Sequence, residues 1–382
     1  MTNQEFRLTA KTFHGMEQML ADELSEINAQ NIKILNRAVQ FIGGKEIYYK
    51  ANYSCRTALS ILLELSYFKA HNEDYLYRKA MEIPWDEYLD VDDTFAIEKT
   101  VNSRFFKHSQ FTALRLKDAI VDYFNNKYGK RPSVDTNSPD VLFDLHISNE
   151  RVNISLDTSG ESLHKRGYRK ETTIAPINEV LAAGLLKAAG FDGTQNLYDP
   201  MCGSGTFLCE AAEMTKNIPA GKHRKEYGFK RFKDFDKDLW KTVKEEANKQ
   251  SKTHTGIKIA GADKDAGALS AGIKNIDSAG LSNDITLSEL DFFNSKPPFA
   301  EGIIVTNPPY NERLKVENTK DFYKTIGDTL KNNYPGWTAH IFSGFPSASK
   351  TVGLRTSSKQ QFYNGKIDSR LLTYKLFKGK LK

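Results

Sequence analysis

The spacing of apolar positions changes near residue 170 and divides the chain in two. Residues 5–12 (EFRLTAKT) read as a strand, after which Met16, Leu20, Leu24 and Ile27 share one helical face. Short β-rich pieces at 32–35 and 38–42 and a helix near 47–53 complete a small α+β unit. Between 91 and 156 the pattern predicts a strand (FAIEKTV), a helix over 110–128 with apolar Leu114, Ile120, Val121 and Phe124, and two strands, VLFDLHIS and RVNISLDT. Asn149-Glu150 between those strands has the chemistry of a tight turn. Beyond 171, helices at 177–189 and 207–215 alternate with strands at 196–200, 257–263, 284–292, 302–310 and 338–344. Such alternation predicts an α/β domain with a mostly parallel, doubly wound sheet covered on both faces. Its densest Gly and Pro clusters fall at strand ends, where folds of this class bind ligands.

Composition narrows the function classes. A chain of 382 residues with 39% hydrophobic content exceeds one ordinary core, so two or three domains are expected. No apolar run approaches the roughly 18 residues of a membrane span, and the first residues lack a secretory apolar stretch, so a soluble cytoplasmic protein is expected. Three scattered cysteines, Cys55, Cys202 and Cys209, suit neither a disulfide framework nor a zinc site, and no metal is expected. The net charge is +6, and Lys216–Lys258 alone carries 13 basic against 6 acidic residues. That clustering fits either a surface facing a polyanion or a solvated Lys-rich helix. LHKRGYRKETT (163–173), with four cations between Lys165 and Lys170, reads as an interdomain linker.

Four motifs carry candidate chemistry, each at the end of a predicted strand. The first is Asp199-Pro200-Met201-Cys202-Gly203-Ser204-Gly205-Thr206, where glycines admit a ligand to the backbone and a helix N-terminus offers free N–H groups. Leu208 stands where a dinucleotide fingerprint needs its third glycine, and no Gly-Lys-Ser/Thr follows, so nucleotide phosphates are disfavoured. Cys202 has no histidine near it in sequence and reads as a packed residue. In Gly261-Ala-Asp263-Lys-Asp265 an acid can accept from both ribose hydroxyls; Asp263 is the better candidate, since Asp265 suits a helix cap. Asp291-Phe292 offers an acceptor and an aromatic ring to an adenine. The fourth is Asn307-Pro308-Pro309-Tyr310. There the Asn307 oxygen and the Pro308 carbonyl can accept from a target amine, and Tyr310 can stack on an extruded base.

In this order and spacing, DPMCGSGT, GADKD, ELDFF and NPPY resemble the motifs of class I S-adenosylmethionine-dependent amino-methyltransferases. SGESLHKRGYR, APINEVLAAGLL, NPPYNERL, YPGWTAHIFSG and YNGKIDSRLLTYKLF are similar to one branch, the 23S ribosomal RNA guanine-N2 methyltransferases. The resemblance implies a ferredoxin-like unit over 1–65, an RNA-binding THUMP domain over 66–160, a linker over 161–175 and a Rossmann-like methyltransferase domain over 176–382. It further implies that Ala175, Pro176 and Glu179 line the methionine end of the cofactor, although Pro and Glu also suit a helix's first turn. Lys165, Arg166, Tyr168 and Arg169 become candidates for RNA contact, or solvate a linker. Arg224, Lys225 and Arg231 in the basic insertion are phosphate candidates; alternatively Phe229, Phe232, Phe235 and Trp240 pack it onto the sheet. The Asn-Pro-Pro-Tyr motif leaves adenine-N6 transfer to DNA and guanine-N2 transfer to tRNA open, as well as a non-catalytic assembly factor. Oligomeric state is not legible in the sequence.

Overall fold

A computed structural model describes residues 5–172, 176–309, 316–345 and 347–377 of the protein. The N-terminal strands are β1 (Phe6–Lys11), β2 (Gln30–Leu35), β3 (Ala38–Gly43), β4 (Ser60–Lys69), β5 (Thr94–Asn102), β6 (Ser133–Val134), β7 (Val141–Ser148) and β8 (Arg151–Asp157). They form one sheet in the order β2-β3-β1-β4-β8-β7-β5-β6. Four helices accompany it: α1 (Glu17–Glu26), α2 (Lys45–Ser54), α3 (Glu73–Met81) and α4 (Ser109–Tyr128). The β7–β8 hairpin turns at Asn149, whose φ of 53° is one that Asn tolerates better than most residues.

β4 is one of the strands the sequence pattern does not announce. Its first four residues are all buried, which erases the period-two alternation that marks a half-exposed strand. It pairs with β1 on one edge (Leu8 opposite Leu63) and with β8 on the other (Leu63 opposite Leu156). The two N-terminal units that the resemblance implies therefore share one sheet, and a boundary at 65/66 falls inside a strand.

The C-terminal elements are α5 (Glu179–Ala188), β9 (Leu197–Asp199), α6 (Thr206–Thr215), α7 (Lys237–Lys249), β10 (Ile259–Asp263), α8 (Ala266–Ser278), β11 (Ile285–Glu289), β12 (Ile303–Thr306), α9 (Val316–Asn333), β13 (Thr338–Ser343), α10 (Ala348–Thr351), β14 (Ser358–Asn364) and β15 (Ile367–Lys375). The sheet order is β11-β10-β9-β12-β13-β15-β14, parallel from β11 to β13 and antiparallel at β15. The chain leaves central β9 toward β10 and β11, then returns to β12 on the other side of β9. That reversal opens a crevice at the strands' C-terminal ends. One sheet face packs Leu181, Leu185, Phe207, Leu208 and Ile276; the other packs Tyr198, Ile304, Tyr323, Tyr334 and Trp337.

The two halves are locked together. Met16 sits in the C-terminal core against Gly184 of α5, where a Cβ would come within 2.3 Å of the Met16 sulfur. The insertion at 216–258 supplies the larger clamp. Its Tyr227, Phe229, Phe232, Trp240 and Val243 belong to the N-terminal core, with the Phe229 ring tilted against Tyr49 at 4.5 Å and edge-on to Trp240 at 5.0 Å between ring centres. The aromatic residues thus do pack, but against α2 of the other unit and not against the parallel sheet. Many of the insertion's charges are also used: Arg231 pairs with Asp140 at 2.6 Å, Lys233 with Asp90 at 2.6 Å, and Asp234 with Lys45 at 2.7 Å.

Candidate active site

Register places three motifs side by side. Gly261 of β10 lies opposite Asp199 of β9, and Ile304 of β12 lies opposite Tyr198, so Asp263 and Asn307 overhang the central strand from its two sides. Asp199 is buried at 1% exposure between them, and burial pushes its carboxyl up to about 7. Its Oδ1 accepts from the Met201 N–H at 3.1 Å, which starts the loop. Gly203 and Gly205 adopt φ of 53° and 80°, and a side chain on Gly203 would enter open space, so only the glycine backbone bounds the loop there. Gly205 caps α6 without a side-chain partner, leaving N–H groups of the first turn pointing out of the helix end.

Asp263 holds this loop: one oxygen accepts from the Gly203 N–H at 2.9 Å and the other from Asp265 N–H at 3.0 Å. A carboxylate retains acceptor capacity beyond two such bonds. Asp265 is exposed and caps α8 through the Ala268 N–H. Pro200, Ser204 and Thr206 are buried within the loop and its helix. Cys202 is buried as well, and burial raises its thiol well above the usual range, the state of an inert packed residue.

Asp291 caps a short turn through the Phe293 N–H. Phe292 is 3% exposed and its ring lies 5.7 Å from Tyr334 in the core. The expectation that this ring covers an adenine is therefore corrected: Phe292 faces inward, and the partly exposed Leu290 stands next to Asp291 instead.

At the tip of β12, Pro308 is buried and Pro309 half-buried. The Asn307 Oδ1 is buried and has no hydrogen-bond partner among the described residues. A buried acceptor without a partner costs roughly 1–3 kcal/mol, which a donor amine entering the crevice would recover. Tyr310 and Ala175 lie outside the described residues.

The Lys165–Lys170 segment is not a solvated linker. Arg166 and Tyr168 are 2% and 1% exposed, and both reach Glu210 on α6, at 3.4 and 3.1 Å. Arg56 joins Glu210 and Glu213 at 3.3 and 3.1 Å in the same buried network. Neither Arg166 nor Tyr168 can meet an RNA phosphate or stack on a base, because their polar ends are committed to buried carboxylates. Arg224 is likewise withdrawn, its guanidinium donating to the carbonyls of Ser159, Glu161, Ser162 and Lys165. Arg169 turns toward the cofactor loop instead: Nε meets Glu179 at 2.7 Å, and Nη2 meets Thr206 Oγ1 at 3.0 Å. Of the cations proposed for RNA, Lys225 stays exposed, and Lys165 and Arg231 are exposed but paired with Glu161 and Asp140. Sequence reasoning passed over Asn275 of α8, whose amide bridges Lys170 N–H and Glu171 to the Ser204 carbonyl.

Residues 166–373 match the family described as the RMKL-like methyltransferase domain. The chain belongs to that family. Residues 70–157 match the THUMP domain, and residues 7–62 match the RlmL ferredoxin-like domain. A Synechocystis protein named "Putative RNA methyltransferase" is 39% identical over 96% of both chains. The "Ribosomal RNA large subunit methyltransferase K/L" of Syntrophotalea carbinolica is 36% identical over 94% of this chain, which spans about half (52%) of that relative's length. The solved structure of SMU.472 complexed with SAH superposes with a TM-score of 0.85 at 26% identity, covering 99% of this chain and 100% of that one. This RMKL-like chain is a methyltransferase with S-adenosylmethionine as cofactor. The open Gly203 cradle, the uncapped α6 end and the unpartnered Asn307 oxygen fit that cofactor and an amine acceptor.

Proposed function

We propose that this chain methylates the exocyclic N2 amine of a guanine in 23S ribosomal RNA, in the cytoplasm. The observation that carries the reading is the buried, unpartnered Asn307 oxygen at the tip of β12, beside the donor loop. An exocyclic purine amine is a poor nucleophile because its lone pair is delocalised into the ring. Two acceptors on its hydrogens, Asn307 Oδ1 and the Pro308 carbonyl, favour a tetrahedral nitrogen and free that lone pair. Pro308 and Pro309 contribute no N–H that would compete for those acceptors. Asp263 and the 203–206 backbone hold the donor's ribose and amino-acid ends. Bound S-adenosylmethionine supplies a methyl group already activated on a sulfonium, so no general base is needed before attack and the amine proton leaves to solvent afterwards. Acceleration is then chiefly positional, for which the ceiling is about 7–11 kcal/mol.

In this reading residues 1–65 and 66–160 present the RNA, residues 161–175 join the halves, and residues 176–382 hold donor and amine. The THUMP match and the ribosomal RNA relatives support RNA over DNA. The test is nucleoside mass spectrometry of 23S RNA, tRNA and DNA from a deletion strain, with purified protein added back. Loss and restoration of N2-methylguanosine in 23S RNA is expected. Its appearance in tRNA, or of N6-methyladenine in DNA, would replace this reading with the corresponding alternative, and no change in any pool would refute the proposed reaction.

A further inference from the structure

We infer that Asn275 is a positioning residue for methyl transfer, whose side-chain amide locks the peptide plane between Ser204 and Gly205 in the orientation that receives the donor; the inference rests on the 203–206 loop being the donor site. Asn275 lies on α8 and is 1% exposed. All of its hydrogen bonds go to backbone. Oδ1 accepts from the N–H groups of Lys170 and Glu171 at 2.7 and 3.1 Å, and Nδ2 donates to the carbonyls of Glu171 and Ser204 at 3.0 and 3.1 Å. The oxygen meets only donors and the nitrogen only acceptors, so the amide has one permitted orientation and its bonding capacity is fully used.

The loop needs such an anchor. Its N–H groups are held at three points, each at 2.9 Å: Cys202 on the Ala262 carbonyl, Gly203 on Asp263, and Gly205 on the Cys202 carbonyl. The peptide between Ser204 and Gly205 sits between glycines at φ of 53° and 80°, and glycine accepts either sign of φ, so the backbone alone resists rotation of that plane only weakly. Rotation would break the Gly205–Cys202 bond, turn the Ser204 carbonyl away from α8 and change which polar groups the loop presents beside the uncapped end of α6. Asn275 opposes it by holding the carbonyl side of the plane. The helix is shaped for that reach: a Cβ on Gly272, one turn earlier, would lie 3.2 Å from the Gly203 carbonyl oxygen, and Ile276 borders Gly205. Lys170 and Glu171 follow the locked Tyr168, so one amide fixes both the donor loop and the segment that joins the two halves.

Calorimetric titration of the full chain with S-adenosylhomocysteine separates positioning from stability. Asn275→Ala should raise Kd by about 10- to 100-fold, the consequence of a buried carbonyl left without its donor, while the fraction of chains that titrate stays constant. A purely structural residue would do the reverse, lowering that fraction at unchanged Kd. Asn275→Asp keeps an acceptor for the Lys170 and Glu171 N–H groups but sets a carboxylate oxygen against the Ser204 carbonyl. It should lose at least as much affinity as Asn275→Ala, and it carries the test should the alanine variant not fold. Affinity kept in Asn275→Asp would assign any loss in Asn275→Ala to the joining segment, and unchanged Kd in both would leave Asn275 a packing residue; either result overturns the inference. A wild-type chain that does not bind S-adenosylhomocysteine would instead refute the donor-site reading itself.

Discussion

Replacing Phe229 by Ala tests whether the basic insertion is a clamp. Phe229 is fully buried and lies within 6.0 Å, centre to centre, of Tyr48, Tyr49, Tyr227, Phe235 and Trp240. Truncating a buried Phe costs about 3–5 kcal/mol, from lost transfer energy and the cavity left behind. The upper half of that range applies here, because aromatic pairs add about 0.5–1.5 kcal/mol beyond area and the surrounding rings cannot collapse into the space. For a cooperative unit of roughly 200 residues the midpoint of thermal unfolding should fall by roughly 10 °C. Calorimetric scans and urea titrations would read the loss, with Tyr67→Ala, half exposed on β4, as a control expected to change stability by less than about 0.5 kcal/mol. Affinity for S-adenosylhomocysteine should stay within a few-fold, since the donor loop does not touch the cluster. A loss below about 1 kcal/mol would mean that the insertion docks loosely and would refute the clamp.

Asn307→Ala should abolish single-turnover methyl transfer while S-adenosylhomocysteine affinity stays within a few-fold; a normal chemical rate would remove the residue from amine orientation. Asp263→Ala should weaken the same ligand by about 1–3 kcal/mol, since it deprives both the Gly203 N–H and the donor's ribose of a half-buried acceptor; unchanged affinity in calorimetry would contradict this. Lys165→Ala with Lys225→Ala should flatten log K for RNA against log salt by about 0.7–0.9 per lost phosphate contact, whereas Arg224→Ala should instead lower the melting temperature, because its guanidinium holds backbone carbonyls of the 159–165 segment. The Asp199 carboxyl, raised by burial from 3.8 to about 7, binds a proton in the folded state that the unfolded chain has released, so it withdraws stability as pH climbs from about 4 through 7. Asp199→Asn keeps an acceptor for the Met201 N–H and should flatten that part of the stability profile, read by urea titration between pH 5 and 9; an unchanged slope would show that Asp199 does not titrate there.

The alternation of helix and strand after residue 171 made the parallel sheet legible, because a βα repeat leaves a local signature in which strands read as apolar runs and their ends as Gly and Pro clusters. The same is true of the site motifs. Asn307, Asp263 and the two loop glycines act through short backbone segments whose geometry is set locally, and register only had to bring them together. Position within a motif did not determine every orientation: Asp265 caps its own helix through Ala268, a local outcome the sequence already suggested, whereas Phe292 turns into the core against Tyr334, which lies far off in sequence.

Tertiary structure alone decided the fate of the cations. Lys165 and Arg166 are adjacent and equally basic in sequence, yet one faces water and the other meets Glu210, a carboxylate 44 residues away. No periodicity records such a pairing, because a buried charge is fixed by the partner it finds in space. Arg231 and Asp140 are joined across 91 positions for the same reason. β4 escaped notice by the complementary route: a strand buried on both faces loses the alternation that betrays its neighbours, and it then joins two units that the sequence presents as separate. Local physics wrote the elements and the reacting groups into the chain, while long-range complementarity of charge and shape determined which of its polar side chains remained free to meet RNA.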